Sequence, residues 1–175
     1  MPSPADTQPT IVAFAGRRID ADDAKAARFP VANVGAVRAA IHASLERIAP
    51  SLLVASAACG ADLIALEAAV SHGIRTRIVL PFAPTRFRAT SVVDRPNPEL
   101  WGRLYDDIIK RAEERNEVIE LNCSKDDARV YSAANKAIIA MASEASAATS
   151  TRRVALIAWE GGHAGMTTRP RNLLT

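Results

Sequence analysis

Short aliphatic and β-branched runs alternate along the chain with longer stretches whose apolar residues recur every three or four positions. The first run, Ile11-Val12-Ala13-Phe14-Ala15, is closed by Gly16 and predicts a buried strand. Polar residues fill 17–33. Val34, Val37, Ile41, Leu45 and Ile48 then predict a helix over 34–48, ended by Pro50. A second strand, Leu52-Leu53-Val54-Ala55, runs through Ser56-Ala57-Ala58-Cys59-Gly60-Ala61-Asp62 into another helix. That helix turns Leu63, Leu66 and Val70 inward and stops at His72-Gly73. The third strand, Thr76-Arg77-Ile78-Val79-Leu80, is broken by Pro81. Residues 82–98 read as irregular, and 99–115 as a helix burying Leu100, Leu104, Ile108 and Ile109. Val118-Ile119-Glu120-Leu121 predicts a fourth strand, 130–142 a helix, and 143–151 a connector of small residues. Val154-Ala155-Leu156-Ile157-Ala158-Trp159 predicts the fifth strand.

Five strands joined by helices predict a Rossmann-like, doubly wound α/β fold. Its five-stranded sheet is mainly parallel, with helices on both faces. The order expected is 3-2-1-4-5, in one domain over residues 10–175 behind a flexible segment, 1–9. Pro170 interrupts any closing helix, so the end reads either as frayed or as cut from a longer protein. Such sheets bind ligands beyond the carboxyl ends of their strands, where the order reverses. That places the site between strands one and four, beside strand two. Gly16-Arg17-Arg18, residues 56–62 and the residues after Leu121 are expected there.

Aromatic residues make up only 5% of the 175 and alanine is abundant, so helices are expected to meet the sheet through small side chains. No apolar run approaches the roughly 20 residues of a membrane span, and residues 1–9 lack a signal-peptide pattern. Cys59 and Cys123 lie too far apart for a disulfide framework or a zinc site, which points to a reducing cytoplasm and to no bound metal. The formal net charge is +3 and the pI about 9.2. All but four of the 22 basic residues are arginine, whose planar fork suits phosphate and carboxylate. A GC-rich genome produces the same bias, so basicity alone does not assign nucleic-acid binding.

Small residues from Ser56 through Ala57, Cys59 and Gly60 would let a ligand approach the backbone, and the helix that follows would present its positive end to an anion. Asp62 reads either as a cap for free amides or as an acceptor for ribose hydroxyls. Glu67, one turn on, is the other candidate carboxylate, although a structural role also fits it. Cys59 reads as packing, because no histidine pairs with it. Arg17 and Arg18 follow Gly16 where a bidentate fork could hold a phosphate; solvated surface arginines are the alternative. Pro81 and Phe82 open the irregular stretch, and with Arg86 they stand as ligand-side candidates or as ordinary loop residues. Tyr131 and Asn135, four apart on one helix face, point either to the crevice or to helix packing.

Ser56-Ala57-Ala58-Cys59-Gly60-Ala61-Asp62, followed by Ala65, Glu67, Ala68 and Ala69, resembles the Ser-Gly-x-Ala-x-Gly-x-Asp signature of the SLOG superfamily, which joins DprA (Smf) proteins to the LOG phosphoribohydrolases. The order of elements from Gly16-Arg17-Arg18 through 131–136 to a glycine-rich final turn is similar too, and the likeness covers about residues 10–168. It implies a nucleotide or a nucleotide-derived messenger at this edge, held in part by Gly161, Gly162 and Thr167. LOG enzymes carry a glutamate after their last glycines. Here Glu160-Gly161-Gly162-His163-Ala164-Gly165-Met166-Thr167-Thr168-Arg169-Pro170 has none. Glycosidic cleavage would then fall to Glu67, Asp62 or Glu160.

The reading favoured is a module sensing a nucleotide, cyclic nucleotide or ADP-ribose derivative in bacterial signalling or defence, with no further cofactor. The resemblance implies self-association or an effector domain as partner. A nucleotide N-glycosidase is the second reading. Single-stranded DNA binding is third, because few loop aromatics (Phe82, Phe87, Trp101) are present to stack bases.

Overall fold

The computed structural model describes residues 9–123 and 129–159. In chain order these form β1 (Thr10–Gly16), a 3-10 turn (Val31–Asn33), α1 (Val34–Ile48), β2 (Leu52–Ala55) and α2 (Ala61–Ser71). There follow β3 (Arg75–Leu80), α3 (Pro84–Ser91), α4 (Pro98–Glu114), β4 (Val118–Glu120), α5 (Val130–Thr149) and β5 (Arg152–Ala158). The strands make one parallel sheet in the order β4-β3-β2-β1-β5, which is the doubly wound, Rossmann-like architecture expected.

The order itself differs from 3-2-1-4-5. β4 is three residues long and ends in exposed Glu120, so it suits a sheet edge rather than a place between two strands. It pairs with β3, while β1 pairs with β5 from Thr10↔Arg152 to Gly16↔Ala158. The chain therefore steps outward from β1 to β4 and returns once, over the other face. The reversal lies between β1 and β5, and Asn122 and Cys123, which follow β4, stand at the far edge, away from it.

Alternation along the strands separates two cores. Ile11, Val54 and Val79 face Ile138 and Ala142 of α5. Val12, Phe14, Leu53 and Ile78 face the other way, into a larger cluster with residues of α1, α2 and α4. Small side chains do let α2 sit close: Ala61, Ala65, Ala68 and Ala69 are all buried. Val70, expected inward, is instead at the surface.

The stretch 82–98 is not wholly irregular. Pro84 occupies the first turn of α3, where a missing N–H costs nothing, and the helix runs to Ser91. In α4 the inward stripe is Trp101, Tyr105, Ile108, Ile109 and Ala112, and Leu100 is exposed. The connector 143–151 is helical through Thr149. The Ser143 and Thr149 hydroxyls donate to the carbonyls of Ile139 and Ala145, so they do not compete with the helix. Among the described residues no helix is long and apolar enough to cross a membrane.

Candidate functional site

The turns that leave β1 and β2 are joined to each other. Arg18 and Gly60 form an isolated antiparallel bridge. The Ala61 N–H donates to the Arg17 carbonyl at 3.0 Å, and the Ile19 N–H to the Cys59 carbonyl at 3.3 Å. Gly60 sits at φ 108°, and a Cβ there would stand 2.7 Å from the Arg17 oxygen. A Cβ on Gly16 would strike Ala61 and Phe14. Both glycines therefore make room for protein rather than for a ligand. The amides at the start of α2 are also taken up: Ala61 bonds Arg17, Leu63 bonds Ala58 and Ile64 bonds Gly60. An anion held here must be held chiefly by side chains.

Asp62 fastens the two turns from below. It is buried, its Oδ1 accepts the Gly16 N–H at 3.0 Å, and its carboxylate also accepts from the Ala58 backbone. It thus bridges loops instead of capping its own helix. Burial pushes its pKa up to about 7, against the opposing pull of the two N–H groups and of Arg18. The folded chain therefore keeps, between about pH 4 and pH 7, a proton that the unfolded chain has released. The stability from this proton is present below about pH 4 and is lost as pH rises through 7. Urea unfolding at several pH values is expected to show Asp62→Asn gaining on the wild type across that window. Parallel curves would contradict the assignment.

Beyond these turns the chain opens into a cleft of about 560 Å³ lined by Gly16, Arg17, Arg18, Asp20, Lys25, Arg28 and Arg95, among others. Its outer wall is the loop after β1. Ile19 and Phe29 anchor the two ends of that loop in the core. Asp20 closes it by accepting the N–H groups of Arg28 and Phe29 at 2.8 and 2.9 Å. The opposite wall comes from the α3–α4 connection. Arg88 holds Asp106 through a bidentate pair at 2.7 and 2.9 Å, tying α3 to α4, and Asp94 then meets Arg18. Five basic side chains line the space, and Asp20 is the one acid among the residues that do so. The walls therefore carry an excess of positive charge, part of it offset where Asp94 pairs with Arg18.

Cys59 is fully buried, its N–H bonds the Ser91 carbonyl, and burial pushes its thiol pKa up against the pull of Arg18, as a packing residue requires. Ala57 is buried and Ser56 half-buried on the same turn. Glu67 pairs with Arg38 of α1 and does not line the cleft. Pro81 and Phe82 lead into α3: the Pro81 carbonyl accepts from the Cys123 N–H, and the Phe82 ring lies 5.9 Å from that of Phe87 and 4.3 Å from the Arg86 guanidinium. Tyr131 shares a hydrogen bond with Ser91 at 3.1 Å, and Asn135 is exposed on the same helix. Glu160, Gly161, Gly162 and Thr167 lie outside the described residues.

Three cleft cations, Lys25, Arg28 and Arg95, had not stood out in the sequence. The first two lie in the polar stretch before α1, where a charge run usually marks a solvated loop. Trp159, immediately after β5, had been read only as the end of a strand; it carries the Arg17 guanidinium 5.7 Å from its ring centroid.

Comparison with family models, curated proteins and solved structures finds no match. The functional reading therefore rests on the site's own chemistry.

Proposed function

We propose that the cleft binds a nucleotide-derived anion and that the domain senses it without turning it over. The observation that carries this reading is the charge of the walls. Arg17, Arg18, Lys25, Arg28 and Arg95 converge on one space beside the β1–β5 reversal, and Asp20 is already committed to its own loop. Arginine forks at such a reversal suit phosphate. The likeness of residues 56–62 to the SLOG signature supports a nucleotide rather than a simple inorganic anion. Occupancy would draw the loop after β1 and the α3–α4 connection together, a change that a second copy or an attached effector could read.

The glycosidase alternative needs a carboxylate at the ligand. Glu67 faces Arg38, and Asp62 lies beneath Gly16. Glu67→Gln is expected to leave ligand affinity unchanged and to cost below about 1 kcal/mol of stability, because its ion pair is a third exposed. Incubation with nucleotides, cyclic nucleotides, NAD and ADP-ribose, followed by thermal shift and chromatography together, tests the reading. Stabilisation by an unchanged ligand supports it, and release of a free base would overturn it. DNA binding in the DprA manner should weaken steeply with salt in a gel-shift series and compete with the small ligand.

A further inference from the structure

Trp159 is 69% exposed, whereas the chain's other tryptophan, Trp101, is 1% exposed in the core. An indole left largely in water at the end of an apolar strand is a place where a flat partner gains by covering it. Its position is set by the sheet. Gly16 pairs with Ala158, and the Arg17 N–H donates to the Ala158 carbonyl at 3.2 Å, so Trp159 emerges on the rim where β1 opens into the cleft. The Arg17 side chain spans the two, lining the cleft and lying 5.7 Å from the indole centroid.

An aromatic face and a cluster of cations side by side match the two halves of one ligand class. We infer that Trp159 stacks the nucleobase of a nucleoside di- or triphosphate whose phosphates lie among Arg17, Arg18, Arg28 and Arg95. The inference rests on the cleft reading above and narrows it. The spread of the cations favours the polyphosphate: Arg17, Arg18 and Arg28 on one wall and Arg95 on the other offer planar forks to more than one phosphate group. Stacking selects the nucleoside over bare polyphosphate and tolerates any base, since every base has a π-face. Arg17 against the indole adds a cation–π contact that holds the platform in place.

The test uses ATP, GTP and inorganic tripolyphosphate on the wild type and on Trp159→Leu, read by calorimetry and by tryptophan emission. Trp159 is the exposed fluorophore, so a stacked base quenches it while buried Trp101 stays bright. The wild type is expected to bind ATP and GTP about 10- to 100-fold tighter than tripolyphosphate, with quenching by the nucleotides alone. Trp159→Leu should bring both nucleotides to the tripolyphosphate level and leave tripolyphosphate affinity as it was, and Trp159→Phe should restore most of the difference. Equal nucleotide affinity in wild type and Trp159→Leu would overturn the stacking role, and retained tripolyphosphate binding would leave the cleft reading intact. Binding of neither nucleotide nor tripolyphosphate would overturn the cleft reading itself. A change in sedimentation mass on Trp159→Leu, with ATP affinity unaltered, would make Trp159 a subunit contact and overturn the inference.

Discussion

Gly60→Ala is expected to lower the thermal midpoint by about 10 °C. Two costs combine. At φ 108° and ψ −130° an L side chain is strained whatever surrounds it. The added carbon would also stand 2.7 Å from the Arg17 oxygen and 2.9 Å from the Ile19 nitrogen, both backbone atoms that can retreat only if the loops part. Strain and overlap together amount to about 3 kcal/mol, which corresponds to a fall of about 6–12 °C in a domain of this length. Parting the loops would move Arg17 and Arg18, so ligand affinity should fall in the same variant. Gly73→Ala serves as the control. It also has positive φ, 68°, but nothing stands within 4 Å of the added carbon, so it should cost only about 1–2 kcal/mol. Calorimetry of the two variants checks the contrast, and similar midpoints would show that the two turns are not packed as described.

That contrast also shows what could be read from the sequence. Apolar runs of period two and stripes of period 3.6 are local signals, so the five strands, the 34–48 helix and the fold class were legible. Strand order was not, because it depends on which strand can bear an exposed edge. The brevity of β4 and the exposed Glu120 decided it, and the choice moved the reversal from strand four to strand five. The site was half legible for the same reason. Gly16, Arg17, Arg18, Gly60 and Asp62 lie at glycine-marked turns and were identified as a group, yet the two glycines serve loop packing and Asp62 serves as a bridge. Arg95 lines the cleft from the connection between α3 and α4, which the Arg88–Asp106 pair ties together across 18 residues, from the stretch read as irregular into the predicted helix. No local pattern announces such a contact.

The double variant Arg28→Ala/Arg95→Ala is expected to bind nucleotide about 100-fold more weakly than the wild type. Each guanidinium lines the cleft from an opposite wall, Arg28 from the loop after β1 and Arg95 from the α3–α4 connection. A hydrogen bond to a charged group contributes about 1.5–3 kcal/mol when both partners leave water. Exposure to solvent in an open cleft brings two such losses down to about 3 kcal/mol in all. Arg18 is left untouched because Asp94 would then lose its partner and the fold would change with the site. Calorimetric titration at low and at moderate salt checks the expectation, since affinity in the wild type should drop more steeply with ionic strength than in the variant. Undiminished binding in the double variant would place the anion elsewhere.

The most direct test of the central claim is to map, by backbone amide shifts in a ¹⁵N-labelled sample, where ADP or ATP touches the chain. The expected changes cluster at Gly16, Arg17, Arg18, Lys25, Arg28 and Arg95, with the indole N–H of Trp159 moving and that of buried Trp101 still. Shifts confined to the far edge around Val118–Glu120, or none at millimolar nucleotide, would contradict the assignment of this cleft as a nucleotide site.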